Sequence, residues 1–295
     1  MSEIKKTVIA LGYFDGAHAG HRAVISAAKD LAVKLNAALT VFTFRGNLRL
    51  AVGKGGFLTD KRLLTDSERE EIYAWLGADK TYFAPTTASY LKKGARAFLN
   101  DLNRKFKVAA YVCGEDYTFG KNAAAGVADL VKYADTKGQT VLAVKTLYSC
   151  GEKVSSSAIK KMLFAGEIEK ANALLGFPYF ITSEVTRGRG VGKKLGFPTA
   201  NLIYPADKCE VKEGVYAGKI IIDGTKYKAV INYGAKPTFG DGKKSVEAHA
   251  IDFSGDLYGK TVRVCFEKRL RDIKKFASAT ELSEQLKKDV AEARK

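Results

Sequence analysis

The sequence predicts two domains, an α/β domain with a parallel sheet and then a small antiparallel β-barrel that ends in a helix. Strand and helix patterns alternate over residues 8–144, which is typical of parallel sheets covered by helices on both faces. Short β-branched or aromatic runs, separated by turns, follow over residues 179–270. A length of 295 residues also suits two domains better than one. We place the boundary between residues 175 and 176.

Hydrophobic periodicity locates the elements of the first domain. Helices repeat apolar residues every three or four positions, whereas buried strands are short apolar runs. The carboxyl ends of such parallel strands are where nucleotides usually bind, so we expect a site there. The predicted elements are the strand Val8–Leu11, the helix Ala23–Leu35, the strand Ala38–Phe44, the helix Ser67–Leu76, the strand Lys80–Phe83, the helix Gly94–Leu102, the strand Val108–Cys113, the helix Val127–Thr136 and the strand Thr140–Val144.

The second half changes from alternating elements to consecutive strands. Asp223-Gly224 lies between two apolar runs and is a strong hairpin signal. Thr280 is the predicted N-cap of the last helix. The predicted elements are the helices Ser157–Phe164 and Ile168–Leu174, the strands Tyr179–Val185, Gly214–Ile222, Thr225–Tyr233, Val246–Phe253 and Lys260–Leu270, and a helix from Thr280 to Val290.

Composition narrows the class of protein. No apolar run approaches 18 residues, and no signal-peptide pattern is present, so we expect a cytoplasmic protein without a membrane partner. Four widely spaced cysteines indicate free thiols in a reducing compartment. The net charge of +17 is spread along the chain, which favours anionic small substrates over nucleic acid. The oligomeric state stays open.

The most informative motif is the stretch Gly12–His21, in which two of the three histidines follow the first predicted strand. A helix start there would present backbone N–H groups and a positive dipole end to phosphate. His18 and His21 could donate hydrogen bonds to phosphate oxygens as charge develops in a transition state. The alternative is a pair of surface histidines in a loop. The other residues that we assign to nucleotide phosphates in this stretch are Gly12, Phe14, Asp15 and Gly20.

A second motif, Cys113 to Gly120, places aromatic residues between two glycines after a strand. Glycine lets a ligand approach the backbone closely. Tyr117 and Phe119 could flank a ring system, and Asp116 could accept hydrogen bonds from a base or a flavin edge. An ordinary turn that carries aromatic residues explains this motif equally well.

A third motif, Ser155 to Lys160, opens a predicted helix with three hydroxyl groups. Ser156 and Ser157 could bind phosphate, and Lys160 would lie on the first turn beside the same anion. The alternative is that the hydroxyl groups only cap the helix.

The stretch from Gly188 to Asn201 is a separate phosphate-site candidate. Alternating glycines among cationic residues make a flexible loop, and Thr199 and Asn201 offer oxygen ligands suited to Mg²⁺. The residues that we assign to nucleotide binding here are Gly188, Gly190, Gly192, Lys193, Pro198, Thr199 and Asn201.

Strand alternation places Glu247 and His249 on one face of a barrel strand. Glu247 could act as the base that accepts a proton from a substrate hydroxyl during phosphoryl transfer. The alternative is a polar face directed at solvent. The turn that begins at Asn232 offers further polar groups that could orient a substrate.

Taken in order, these motifs resemble the bacterial bifunctional riboflavin kinase/FAD synthetase family over nearly the whole chain. The resemblance implies a nucleotidyltransferase-like Rossmann domain and a Greek-key β-barrel domain. The motifs that carry it are Gly12-Tyr-Phe-Asp-Gly-Ala-His-Ala-Gly-His21, Gly114-Glu-Asp-Tyr-Thr-Phe-Gly120, Ser155-Ser-Ser-Ala-Ile-Lys160, Leu195-Gly-Phe-Pro-Thr-Ala-Asn201, Glu213-Gly-Val-Tyr-Ala217, Asn232-Tyr-Gly-Ala-Lys-Pro-Thr-Phe239, Val246-Glu-Ala-His-Ala-Ile-Asp-Phe253 and Asp256-Leu-Tyr-Gly259.

The resemblance implies two reactions. Residues 176–295 would phosphorylate riboflavin from MgATP to give FMN, with Glu247 as the base and with Mg²⁺ held by Thr199 and Asn201. Residues 1–175 would adenylylate FMN from a second ATP to give FAD and pyrophosphate. The predicted flavin contacts are Asp116, Tyr117, Phe119, Asn232 and Arg271.

Departures from the family pattern lie in the first domain. The family usually has Asn in place of Tyr13, a Pro-His-Pro-like turn in place of residues 45–47, and Arg in place of Ala158 and Lys160. Lysine keeps the charge of arginine but loses its bidentate fork. One alternative is therefore a riboflavin kinase whose first domain is weakened or inactive. A second is a basic flavin- or RNA-binding regulator without catalysis.

Overall fold

The chain divides into two compact units, residues 1–158 and 159–295, in the computed structural model. The structure describes residues 5–53, 56, 60–149, 151–188, 192, 195–235 and 244–295. The division by packing falls inside a helix that continues from the first unit into the second. A functional boundary at residues 175 and 176 stays a proposal.

The first unit is built on a five-stranded parallel sheet, as the alternating pattern predicts. Its strand order is β3-β2-β1-β4-β5, so the chain reverses its direction of travel across the sheet between β1 and β4. Such a reversal between neighbouring strands is where open α/β sheets usually bind their ligands, beyond the carboxyl ends of the strands. The strands are β1 Thr7–Leu11, β2 Ala38–Phe44, β3 Lys80–Ala84, β4 Val108–Gly114 and β5 Thr140–Val144.

Helices and a short hairpin complete the first unit. The first helix begins at Ala19, earlier than predicted, because the His18 side chain caps it. Thr65 and Glu68 form a reciprocal capping box on the third helix, in agreement with the predicted start. The elements are α1 Ala19–Lys34, α2 Leu48–Ala51, α3 Asp66–Trp75, α4 Ala88–Leu91, α5 Ala95–Lys105, a 3₁₀ helix Lys121–Ala123, α6 Val127–Asp135 and the hairpin strands β6 Tyr148–Ser149 and β7 Glu152–Lys153.

The second unit contains a closed antiparallel barrel, two preceding helices and a last helix. Around the barrel the strand order is β10-β11-β12-β9-β8-β13. Strand β9 lies beside β12 rather than β10, which is the Greek-key connection. The elements are α7 Ser156–Ala165, which begins in the first unit, α8 Ile168–Leu175, β8 Tyr179–Thr186, β9 Ala200–Ile203, β10 Gly214–Ile222, β11 Thr225–Ala235, β12 Lys244–Ala250, β13 Thr261–Arg271 and α9 Ala279–Arg294.

Alternation within the barrel strands separates two apolar layers. One set of side chains, including Tyr216 and Phe266, is fully buried and forms ring contacts at 5.3 Å between centroids. The other set, including Val215 and Val230, packs with Val290 and Ala293 of α9. The last helix therefore covers the outer face of the barrel, and this face carries the candidate site described below.

Besides the start of α1, three local predictions were wrong. Strand β9 was not predicted, because its four residues follow Pro198 and look like the end of a loop. Strand β12 ends at Ala250 rather than Phe253, since Asp252 turns the chain with a φ of 61°. The N-cap of α9 is Ser278 rather than Thr280, and its side chain accepts a hydrogen bond from the Glu281 amide.

Among the described residues, no helix combines the length and the apolar composition that a membrane crossing requires. Cys113, Cys209 and Cys265 are buried free thiols, and Cys150 lies outside the described residues.

Candidate functional site

The loop that follows β1 in the first unit has a compact backbone that requires glycine. A Cβ atom on Gly12 would lie 2.5 Å from the Phe14 ring. Phe14 adopts a φ of 51° and is 3% exposed, with its ring against His21 at 5.4 Å and Tyr73 at 6.2 Å between centroids. The Phe14 ring therefore packs against His21. Because this side chain is buried, a phosphate at the loop could contact only the Phe14 backbone.

The structure brings His18 and His21 together as a stacked pair. Their ring centroids are 3.6 Å apart with an interplanar angle of 20°. His18 Nδ1 accepts a hydrogen bond of 3.4 Å from the His21 amide and so caps α1. The loop-and-surface alternative does not fit, because His18 is only 4% exposed.

Burial makes both imidazoles neutral near pH 7. It lowers the pKa of His18 to about 4, despite the opposing charge of Asp15. The pKa of His21 is lowered by burial first and then by the neighbouring His18. A neutral imidazole keeps one N–H donor, so each ring can donate one hydrogen bond at the start of α1.

Ser156 lies beside the same loop. Its hydroxyl donates a 2.5 Å hydrogen bond to the backbone carbonyl of Asp15, whose carboxylate accepts a 2.9 Å bond from the Leu63 amide. Ser155 accepts a hydrogen bond from the Ala158 amide and thus fulfils the capping alternative. Ser157 is exposed. The hydroxyl run therefore contains both a helix cap and a group fixed against the loop after β1.

Lys160 is 5% exposed and lies in the second unit, where its backbone carbonyl is 4.0 Å from the Cys209 thiol. Its assignment to the same anion as Ser156 stays a prediction.

Lys153 is a candidate site residue that the sequence did not predict. It lies on β7 and forms an ion pair with Asp116, the exposed carboxylate after β4. The charge of Lys153 also contributes to the lowered pKa of His18, after burial and Arg22. Lys153 therefore pairs with Asp116, and its charge also acts on His18. The sequence signal that could have identified Lys153 is its position two residues before Ser155, the first of the three consecutive serines.

Tyr117 and Phe119 contact each other instead of leaving a gap. Their rings are nearly parallel, at 14°, with centroids 5.7 Å apart. Phe119 is 5% exposed and belongs to the apolar core of the first unit. No planar ligand fits between rings at that spacing. A flavin contact of either residue stays a prediction, and it would use an outer ring face.

In the second unit, a single row of register partners crosses the barrel. Glu247 on β12 pairs with Asn201 on β9 and, on its other side, with Asn232 on β11. Asn232 pairs with Val215 on β10, which pairs with Arg271 on β13. Directly opposed residues carry their side chains on the same face of a sheet. Four predicted site residues that are far apart in the sequence therefore share one face.

A cavity of about 260 Å³ lies on this face, between the barrel and α9. Polar groups from Thr199, Asn232 and Glu247 face apolar side chains of α9 across it. His249 also lines it, as strand alternation predicts, and its Nδ1 lies 2.8 Å from the Pro198 carbonyl. A mainly apolar cavity with a few convergent polar groups is typical of small-molecule sites.

Asn201 is held against the glycine loop. Its Nδ2 donates to the Thr199 carbonyl at 3.3 Å, and it is 7% exposed. A Cβ atom on Gly188 would lie 2.4 Å from that Nδ2, and one on Gly192 would lie 2.3 Å from the Phe197 carbonyl. Both glycines are therefore needed for close approach. Gly190 and Lys193 lie outside the described residues.

The donor set here suits a hard cation. The Thr199 hydroxyl and the Asn201 amide offer oxygen ligands, and Asn201 lies opposite Glu247, the proposed base. These residues fit Mg²⁺ by chemistry, and the choice of ion stays a prediction.

Arg271 lines the cavity, but its guanidinium is bound to α9. Nε and Nη2 donate to the Asp289 carboxylate at 3.0 and 2.6 Å, and Gln285 donates to the same carboxylate at 2.9 Å. Asp289 is 4% exposed. The observed contact of Arg271 is therefore a tie between β13 and α9, and its predicted flavin contact stays a prediction.

Comparison with known proteins agrees with both units. Residues 1–158 match the FAD synthetase family model, and residues 175–295 match the riboflavin kinase family model. The bifunctional riboflavin kinase/FMN adenylyltransferase of Bacillus subtilis is 34% identical over 99% of this chain and 92% of its own length. The chain belongs to this bifunctional family. Its Escherichia coli K12 member is 31% identical over 97% of the chain and 91% of its own length.

A solved structure extends this likeness to the fold. A crystal structure described as a macrolide-efflux protein from Streptococcus pneumoniae matches with a TM-score of 0.90 and 30% identity. The match covers 100% of this chain and 95% of that one. That structure therefore shares the fold of this chain, a parallel α/β unit followed by a closed barrel, over its whole length.

Proposed function

We propose that this protein makes both flavin cofactors in succession: it phosphorylates riboflavin to FMN and then adenylylates FMN to FAD. The observation that carries the proposal is the barrel row, in which Glu247 lies between Asn201 and Asn232 at a cavity of small-molecule size. We assign the kinase reaction to residues 176–295 and the adenylyltransferase reaction to residues 1–175.

In the kinase reaction, the ribityl 5′-hydroxyl oxygen attacks the γ-phosphorus of ATP. The bond from that phosphorus to the ADP oxygen breaks, and the hydroxyl proton passes to the Glu247 carboxylate. Asn232, beside Glu247, orients the hydroxyl-bearing chain, and the apolar wall of α9 excludes water from one side of the cavity. Gly188 and Gly192 let the backbone approach the nucleotide.

Thr199 and Asn201 would hold Mg²⁺ in this reaction. A bound Mg²⁺ neutralises phosphate charge and orients the β- and γ-phosphates of ATP. The protein's own contribution is the fixed position of the Asn201 amide between Gly188 and Thr199.

In the adenylyltransferase reaction, a phosphate oxygen of FMN attacks the α-phosphorus of the second ATP. The bond to the pyrophosphate oxygen breaks, and no covalent intermediate with the protein is needed. His18 and His21 donate hydrogen bonds to phosphate oxygens whose charge increases in the transition state. Ser156, held against the Asp15 carbonyl, and Lys153, whose charge acts on His18, bind the same phosphates in this proposal.

The reduced alternative, a kinase with an inactive first unit, has less support. Residues 1–158 match the FAD synthetase family, and the histidine pair is fully assembled in that unit. A non-catalytic regulator would have no use for Glu247 between two amide side chains. The cytoplasmic location, and the absence of nucleic-acid and membrane partners, stay predictions.

A time course with riboflavin and MgATP tests the proposal directly. Separation of the flavins is expected to show FMN first and FAD later. FMN without FAD would leave only the kinase assignment, and the absence of both would overturn the whole proposal. Omission of Mg²⁺, with a chelator present, is expected to stop FMN formation.

A further inference from the structure

Tyr13 connects two loops at the carboxyl edge of the parallel sheet. It belongs to the loop after β1, and its hydroxyl donates a 2.9 Å hydrogen bond to the Gly46 carbonyl in the turn after β2. The same hydroxyl oxygen accepts a hydrogen bond of 3.4 Å from the Leu48 amide. One phenol group therefore satisfies a carbonyl and an amide of the neighbouring turn.

A buried arginine fixes the other side of this connection. Arg69 is fully buried and donates to the Tyr13 carbonyl at 3.0 Å and to the Phe44 carbonyl at 2.7 Å. Its guanidinium also lies 5.2 Å from the centroid of the Tyr13 ring. Asp66, which pairs with Arg69, accepts the Gly46 amide at 3.1 Å. Gly46 is thus held from both sides, by Tyr13 at its carbonyl and by Asp66 at its amide.

The turn lies on one flank of the loop that holds the nucleotide phosphates in the proposed adenylyltransferase reaction, since β2 is a direct neighbour of β1. In that reaction, the FMN phosphate has to reach the α-phosphorus from a segment that flanks the loop after β1 at the carboxyl edge of the sheet. The turn after β2 is one of the two flanking segments, and the loop after β4, with the predicted ring contacts, is the other. The turn after β2 adjoins that loop through Tyr13.

We propose that Tyr13 is a positioning residue for the flavin substrate of the adenylyltransferase site, because its hydroxyl fixes the Gly46–Leu48 turn beside the phosphate loop. The inference rests on the proposed adenylyltransferase function. It assigns to this chain a role for a phenol at a position where the family usually has an asparagine. Tyr13 acts through the turn and takes no part in the chemical step.

The deciding variant is Tyr13→Phe, which removes the hydroxyl but keeps the ring beside Arg69. The Leu48 amide loses its acceptor, so its hydrogen exchange, measured by NMR, is expected to accelerate. The KM for FMN in FAD formation is expected to rise about five-fold, the size of one lost net hydrogen bond, while kcat stays within about two-fold. Phosphorylation of riboflavin is expected to stay unchanged.

Tyr133→Phe is the matched control. It also removes one tyrosine hydroxyl from the first unit, but that hydroxyl donates to Asn100 between α6 and α5. It is expected to change neither the Leu48 exchange nor the KM for FMN. Tyr13→Leu, which also removes the ring, is expected to raise the KM further.

Two results would overturn the inference. The first is unchanged exchange at Leu48 in Tyr13→Phe, and the second is faster exchange with an unchanged KM for FMN. Wild-type protein that forms no FAD would instead refute the proposed adenylyltransferase function. The exchange measurement needs no turnover, so it reports on the Tyr13 contact in that case too.

Discussion

Glu247 on β12 and Asn201 on β9 are direct register partners, although the hairpin of β10 and β11 separates them along the chain. Cross-strand partners on one face lie about 5 Å apart at Cβ, close enough for a carboxylate and an amide to act on one substrate. The Greek-key connection creates this pair, because it places β9 beside β12. The barrel topology therefore determines the composition of the candidate kinase site.

Replacement of the proposed base gives the first prediction. Glu247→Gln keeps the shape of the side chain but removes the proton acceptor, so FMN formation is expected to fall by about 10²- to 10⁴-fold. FAD formation from supplied FMN is expected to continue at the wild-type rate. Glu184→Gln, at an exposed position on β8, is the control and should leave both rates unchanged. Loss of both activities in a folded Glu247→Gln protein would contradict separate sites.

The close approach at Gly188 gives a second prediction. In Gly188→Ala the new methyl group would lie 2.4 Å from Asn201 Nδ2, so the amide has to move. Because Asn201 is a proposed Mg²⁺ ligand, the Mg²⁺ concentration for half-maximal FMN formation is expected to rise about ten-fold. This corresponds to a loss of roughly 1.4 kcal/mol in the free energy of Mg²⁺ binding.

The control for this experiment is Gly94→Ala, since a Cβ atom at Gly94 would have no neighbour within 4 Å. It is expected to leave the Mg²⁺ requirement unchanged. An unchanged requirement in Gly188→Ala as well would refute the role of Asn201 as a ligand.

The tie between the barrel and α9 gives a third prediction. Asp289→Asn removes the charge partner of Arg271 in a largely buried setting, so the free energy of unfolding is expected to fall by about 2–3 kcal/mol. Because α9 forms one wall of the cavity, the KM for riboflavin is also expected to rise. Denaturant unfolding and steady-state kinetics measure the two effects.

Asp223→Asn provides the comparison for this pair. Asp223 pairs with Lys260 at an exposed hairpin, where an ion pair contributes little. Its loss is expected to change stability by less than about 0.5 kcal/mol. Equal losses of stability in Asp289→Asn and Asp223→Asn would mean that the Arg271–Asp289 pair contributes no more than an exposed ion pair.

The sequence predicted the strands and helices well wherever apolar periodicity was long. Strands β2, β5 and β10 have the predicted bounds, because mainly apolar and β-branched runs that end at turn or polar residues leave little choice of boundary. Strand β9 was missed, since only its pairing with β12 and β8 identifies four residues as a strand. Local pattern carries no information about pairing partners.

The sequence predicted which residues belong to the candidate sites, but it did not predict which of them touch each other. The motif around His18 indicated a phosphate site, yet the stacking of the two rings depends on how Phe14 packs beneath them. Lys153 and Asp289 were not predicted as site residues, because each reaches its partner only through tertiary packing. Charged residues on a hairpin or a helix give no sequence signal of such pairing.

Lys153 gives a fourth prediction. Lys153→Met removes a cation near the histidine pair and keeps much of the side chain's length, so the KM for ATP in FAD formation is expected to rise about ten-fold, corresponding to roughly 1.4 kcal/mol of lost binding. FMN formation should not change. Lys132→Met, at an exposed position on α6, is the matched control.

If raised salt abolishes the difference in KM between wild type and Lys153→Met, the effect is electrostatic, as expected. A KM for ATP that does not move would exclude Lys153 from phosphate binding.

Acid sensitivity of the first unit gives the fifth prediction. Burial lowers the pKa of His18 from 6.5 to about 4 in the folded protein. Between these values the unfolded chain binds a proton that the folded chain does not, so stability is full above pH 6.5 and decreases as the pH falls towards 4. For one imidazole the loss amounts to about 3 kcal/mol across that range.

Because asparagine also caps helices but does not titrate, the stability of His18→Asn is expected to depend less steeply on pH. Denaturant unfolding at several pH values, monitored through hydrogen exchange in the strands of the first unit, measures how steeply the stability of wild type and of His18→Asn depends on pH. Parallel slopes for wild type and His18→Asn would show that His18 is not the buried neutral group responsible.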